Sequence, residues 1–132
     1  MNKFAAAGAG QPPRVLVLDD DLFMLEMLKD MLEQIGVRDI YIEASTRNAL
    51  STLAEASPDV LICDLALPDM DGIEFLQVAA ERGFGGGVIL LSGMDSGVRD
   101  AAGELARVLG LHVAGIFRKP IALDQLRSAV AC

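Results

Sequence analysis

The chain has 132 residues, 52% of them hydrophobic, and a formal net charge of −8, which is enough for one domain with a real core. Nineteen acidic residues against eleven basic ones argue against a nucleic-acid-binding surface, which needs clustered Lys and Arg, and fit a cytosolic protein suited to cations. Two cysteines, Cys63 and Cys132, make neither a disulfide framework nor a metal cluster, and no apolar stretch is long enough to span a membrane.

The first residues, "MNKFAAAGAGQPP", lack the apolar core of a secretory signal and read as a disordered leader over 1–13. "RVLVL" (14–18) is a strand that runs straight into Asp19, Asp20 and Asp21. Met24, Leu28, Met31 and Ile35 then share one helical face, with Gly36 as the stop. "DIYIE" (39–43) predicts a second strand, and 45–56 a helix with Ser45 as N-cap and Pro58 beyond its end. The apolar run "DVLIC" (59–63) predicts a third strand ending at Asp64, with Cys63 as a small buried hydrophobe. A helix over 71–82 carries Ile73, Phe75, Leu76 and Ala80, and "GFGGG" (83–87) reads as a flexible connection. "GVILL" (87–91) leads to Ser92 and Gly93, and Val98, Ala102, Leu105 and Leu109 form a fourth helical stripe. "VAGIF" (113–117) runs out at Arg118, Lys119 and Pro120, and a last helix over 121–130 holds Leu123, Leu126 and Val130 in phase.

Five strands alternating with five helices mean repeated βαβ units, hence one α/β domain with a parallel sheet covered on both faces. Such sheets bind ligands beyond the carboxyl ends of their strands. Asp19, Asp20, Asp64, Ser92 and Lys119 all stand there. Singly, each has an ordinary explanation: Asp21 reads as a helix N-cap, Ser92 as a loop hydroxyl, Lys119 as a solvated charge. Three carboxylates brought together repel, and a hard divalent cation relieves that repulsion. Mg²⁺ takes few protein carboxylates and leaves room for a phosphate, while a lysine opposite adds a second positive charge. This set suits phosphoryl transfer to a carboxylate, with Asp64 as nucleophile and Asp19 and Asp20 serving the cation.

With "VLVLDDD", "DVLICDLALPDMDG", "VILLSG" and "FRKP" in this order, residues 14–131 resemble the response-regulator receiver domain of two-component signalling. The resemblance implies a doubly wound (βα)5 sandwich with the flavodoxin-like strand order 2-1-3-4-5. It implies that Asp64 accepts a phosphoryl group from a sensor histidine kinase or phosphotransfer protein. Asp20, Asp64 and the backbone carbonyl of Ala66 would bind Mg²⁺ directly, with Asp19 acting through a metal-bound water. Ser92 matches the switch hydroxyl, Lys119 the phosphoryl-contacting lysine, and the Lys119–Pro120 peptide a cis bond. Gly72 would free the backbone near the third helix. Output would pass through the α4–β5–α5 face to an effector domain or partner, with any enzymatic output in a domain outside this chain.

Two departures stand out. The switch aromatic three residues before the lysine is Ile116 here, with Phe117 next to it. The interval from Ser92 to Lys119 (119 − 92 = 27) is also longer than usual, which predicts a longer fourth helix or an altered loop. "LSGMDS" and "GLHVAGIFRKP" are more similar to receivers joined to EAL-type cyclic-di-GMP phosphodiesterase domains, although these residues contain no such domain. Two other readings compete. A haloacid-dehalogenase-type hydrolase would need an acid at Ala66, and a pseudo-receiver would keep the fold only as a binding module. No GxGxxG or Walker-type loop supports nucleotide binding.

Overall fold

The computed structural model describes residues 12–65, 72–93 and 96–131. The leader expected over 1–13 therefore lies outside the described residues except for Pro12 and Pro13, as do Cys132 and all of "ALPDMD" (66–71). Elements follow in strict alternation: β1 (Val15–Leu18), α1 (Leu22–Gln34), β2 (Ile40–Glu43), α2 (Thr46–Ala56), β3 (Val60–Asp64), α3 (Gly72–Glu81), β4 (Gly87–Ser92), α4 (Ser96–Val108), β5 (His112–Arg118) and α5 (Leu123–Ala131).

All strand pairs are parallel, in the order β2-β1-β3-β4-β5. The chain steps one way from β1 to β2 and the other way from then on. Because parallel crossovers are right-handed, that reversal sends α1 to one face of the sheet and α2, α3 and α4 to the other. Two cores result. Val15, Val17, Ile62, Ile89 and Leu91 pack against α1 and α5, and Leu16, Leu18, Leu61, Cys63, Val88 and Leu90 against α2, α3 and α4. Period-two alternation thus buries both sides of β1 and β3, which is why neither strand alternates with polar residues.

Local chemistry sets the element ends. Ser45 Oγ accepts the Asn48 N–H at 3.2 Å and starts α2. Helices α1, α3 and α4 stop alike: Gly36, Gly83 and Gly110 have φ of 98°, 81° and 87°. The next residues, Val37, Phe84 and Leu111, donate back to Leu32, Ala79 and Ala106. The run 83–87 is therefore not the flexible connection expected: it holds a helix stop, and at Gly86 a Cβ would meet the Asp59 carbonyl at 2.2 Å.

The long Ser92–Lys119 interval is accommodated by a 13-residue α4 and a seven-residue β5 with a bulge. Val88 pairs with Val113 but Ile89 pairs with Gly115, so Ala114 is an extra residue. The bulge reverses the alternation. Val113 and Ile116 face the α2–α3–α4 side, and Ala114 and Phe117 face α1 and α5.

Candidate functional site

Register brings the polar residues together. Leu18 pairs with Cys63, so Asp19 and Asp64 are the next residues on adjacent strands. Asp64 pairs with Leu91 and Ser92 with Arg118, so Ser92 and Lys119 follow at the same edge. The edge lies beside the reversal in strand order between β1 and β3, where open α/β sheets bind ligands.

The three consecutive acids have separate jobs. Asp21 caps α1, its Oδ1 accepting the Phe23 and Met24 N–H groups at 2.9 and 3.4 Å. Asp19 is 1% exposed, and its Oδ1 accepts the Asp21 N–H at 2.9 Å. Asp20 is exposed and opens the site to solvent. Asp64, at the end of β3, is 3% exposed. One oxygen each from Asp19, Asp20 and Asp64 lies within 4.8 Å of the other two.

Lys119 reaches across from the end of β5. Its Nζ lies 2.8 Å from Asp19 Oδ2 and 3.2 Å from Asp64 Oδ2. Apart from this ammonium, the buried Asp19 Oδ2 has no hydrogen-bond partner among the described residues. The Lys119 N–H donates to the Ser92 carbonyl at 3.0 Å, and the Lys119–Pro120 peptide is cis. Ser92 itself is fully buried.

Burial is the largest influence on the Lys119 ammonium and opposes its charge, but the Asp19 hydrogen bond and the attraction of Asp64 and Asp19 outweigh it. Its pKa is therefore raised above 10.5. A lysine raised on folding stabilises fully below its unfolded value, and that stabilisation is lost as pH rises through the folded value. The metal-free protein is thus expected to lose stability more steeply above about pH 10.5 than a Lys119→Met variant, measured by urea unfolding on either side of that pH.

Gly72 matters for a reason other than the backbone freedom expected of it. Its φ is not in the left-handed region. A Cβ there would lie 2.6 Å from the Asp64 carbonyl oxygen and 2.7 Å from Leu65 Cα, so only glycine lets α3 start against the end of β3. Ile116 faces Leu90 in register, two positions before Ser92, in the apolar layer against α4. The Ala66 carbonyl falls outside the described residues. The cluster unites hard oxygen donors, one buried and underpartnered, with one ammonium that lies against two of the three carboxylates. It can hold a divalent cation and a phosphoryl group.

The pattern of the response regulator receiver domain matches residues 15–131. The cyclic di-GMP phosphodiesterase RocR of Pseudomonas aeruginosa is 33% identical, over 85% of this chain and 29% of its own length. The regulator of RpoS from Escherichia coli is 28% identical over 90% of this chain and 34% of its own. This chain thus spans about a third of those relatives. The chemotaxis protein CheY of Bacillus subtilis is similar over nearly its whole length, at 28% identity with 89% of this chain and 93% of that protein covered. Among solved structures, a response regulator from Colwellia psychrerythraea superposes with a TM-score of 0.78 at 38% identity, covering 91% of this chain and 94% of its own. The Francisella response regulator 1452 receiver domain gives 0.77 at 26%, covering 89% and 93%.

Proposed function

That the chain belongs to the response regulator receiver domain family is the premise from which we propose its working chemistry: Asp64 takes a phosphoryl group from the phosphohistidine of a sensor kinase or phosphotransfer protein. The observation that carries this is Asp64 buried at a strand end, 3.2 Å from an ammonium and grouped with two further carboxylates. An Asp64 oxygen attacks phosphorus. The O–P bond forms as the P–N bond breaks, and the electron pair leaves with the imidazole, which is protonated. Lys119, already between Asp19 and Asp64, is placed to follow the negative charge onto the phosphoryl oxygens. Asp19, Asp20 and Asp64, with the Ala66 carbonyl, would hold Mg²⁺. The donor set fits that ion, and when bound it offsets charge on the incoming group. The Ser92 hydroxyl and Ile116 are proposed to relay the change to the α4–β5–α5 face.

Incubation with Mg²⁺ and acetyl phosphate is expected to add one hydroxylamine-labile phosphoryl group by intact mass, and EDTA to prevent it. No gain in mass would overturn the proposal. Multiple turnover of a phosphomonoester would instead favour a hydrolase.

Leu22 and Phe23 open α1 beside the acids and are 68% and 75% exposed. Large apolar side chains at the mouth of the site suit a docking partner. Phe23→Ala is expected to slow transfer from a phosphohistidine protein about tenfold while leaving uptake from acetyl phosphate unchanged, measured by transfer rates from the two donors.

For the output, the resemblance of "LSGMDS" and "GLHVAGIFRKP" to receivers on phosphodiesterases and the similarity to RocR favour a cyclic di-GMP phosphodiesterase. If so, phosphorylation of the full gene product should change its rate of cyclic di-GMP hydrolysis.

A further inference from the structure

A cavity of about 360 Å³ opens at the edge of the sheet opposite Asp64, where α2 and α3 end and β3 and β4 begin. Leu53, Pro58 and Phe84 give it apolar walls, and Ser57 and Arg82 give it polar side chains. Sites for one small molecule run from about 300 to 1,000 Å³, with apolar walls and a few placed polar groups. A stable protein interface takes roughly 20–30 residues a side. Eight residues line this hollow, which suits the smaller occupant.

The walls are held in place without a ligand. Gly83 stops α3 with φ 81°, and the Phe84 N–H donates to the Ala79 carbonyl at 3.0 Å. On the other side, the Arg14 guanidinium donates to the Ala56 carbonyl at 3.0 Å, and the Asp59 N–H to the Arg14 carbonyl at 2.8 Å. Ser57 is the unusual residue. Helices α1, α3 and α4 turn left-handed at glycines, whereas α2 does so at Ser57, with φ 48°. Among the described residues it is the one non-glycine in that region. Glycine would adopt this conformation without strain, so the hydroxyl on the cavity wall is carried at a backbone cost.

Charge selects the ligand. Arg82 is the charged residue of the lining, and it makes no ion pair among the described residues. Its guanidinium makes one long hydrogen bond, 3.4 Å to the Leu50 carbonyl, which α2 already uses. Helix carboxyl ends repel anions, but here Arg14 holds the Ala56 carbonyl, and the Gly83 and Phe84 N–H groups take those of Ala80 and Ala79. Of the neighbouring carboxylates, Asp59 accepts the Arg14 N–H at 2.8 Å, and Glu55 lies in an adjoining hollow with Arg47. Glu81 is exposed outside the lining.

We propose that this cavity binds a small aromatic carboxylate, with its ring between Leu53, Pro58 and Phe84 and its carboxylate on Arg82 and the Ser57 hydroxyl. The fork of a guanidinium meets a carboxylate with two parallel hydrogen bonds, so Arg82 orients the ligand while the walls bury its ring. The site is separate from the Asp64 pocket and does not depend on the phosphorylation reading.

Three probes test it through amide chemical shifts of the full chain: 3-phenylpropionate, its neutral amide, and propionate. The aromatic acid should give saturable shifts confined to the ends of α2 and α3 and the start of β4. The amide and propionate should each bind at least about tenfold more weakly. Arg82→Gln should weaken the acid about tenfold and leave the amide unchanged. Ser57→Gly should raise the melting temperature, because glycine relieves the left-handed strain, yet weaken the acid about fivefold. A residue that only ends α2 would show the gain in stability alone.

No saturable shift at these residues, equal binding of acid and amide, or undiminished binding to Arg82→Gln would each overturn the site. Undiminished binding to Ser57→Gly would overturn the role given to its hydroxyl. Shifts at the same residues that grow with protein concentration, with no probe present, would put a second copy there instead.

Discussion

Replacing Asp64 by Asn is expected to abolish phosphoryl uptake from acetyl phosphate altogether, with no gain in intact mass under conditions that fully label wild type. The substitution keeps the size of a side chain that is 3% exposed and removes its nucleophilic charge. Asp19 is no substitute, because one oxygen holds the Asp21 N–H and the other faces Lys119. Asp20 is exposed, so residual labelling in Asp64→Asn would place the acceptor there. Labelling equal to wild type would remove Asp64 from the chemistry. The fold should not suffer, since one of three clustered negative charges is lost.

Replacing Lys119 by Met is expected to destabilise the metal-free protein by about 2–3 kcal/mol, measured by urea unfolding. Breaking one side of an enclosed ion pair costs about 3–5 kcal/mol, because the partner charge stays buried. The effect here is smaller because 20% of the Lys119 side chain reaches solvent. The stranded charges belong to Asp19 and Asp64, so adding Asp19→Asn should return part of the loss. Mg²⁺ gives an independent check. At about a hundred times its Kd, a ligand that binds only the folded state adds about 2.7 kcal/mol. Wild type and Lys119→Met should both gain stability with Mg²⁺, and Asp20→Asn should gain little. An unchanged wild-type melting temperature across a Mg²⁺ titration would show that the carboxylates do not hold the ion.

Most of the fold was legible because it rests on local patterns. The strand at "DVLIC" shows itself by being apolar throughout, as a strand buried on both faces must be, and the alternation of such runs with 3.6-residue stripes implies parallel crossovers. The stop at Gly36 and the caps at Ser45 and Asp21 follow from chemistry within a few residues. The stops at Gly83 and Gly110 carry the same glycine-then-apolar signal, which was there to be read.

The candidate site was legible to the extent that strand ends meet in a parallel sheet, which groups Asp19, Asp64, Ser92 and Lys119 by register alone. What composition and spacing left out were close approaches between distant segments. Gly72 is needed for room beside the Asp64 carbonyl, and Gly103 for the end of Ile116, and neither partner is near in sequence. The bulge at Ala114 is equally silent, because an extra residue in an apolar strand leaves the composition of "VAGIF" unchanged.

By itself, then, the sequence determined the alternation of elements, the caps and stops, and which polar residues stand at strand ends, since each depends on neighbours within a turn of helix or a strand's length. Tertiary structure alone decided that Lys119 lies 2.8 Å from Asp19 while Asp20 stays open to solvent. It also decided that the phase of β5 changes midway, so that Ile116 rather than Phe117 meets α4. Side-chain direction beyond a bulge and the room beside a glycine depend on how closely two backbones approach, and that distance is set by packing across the whole domain.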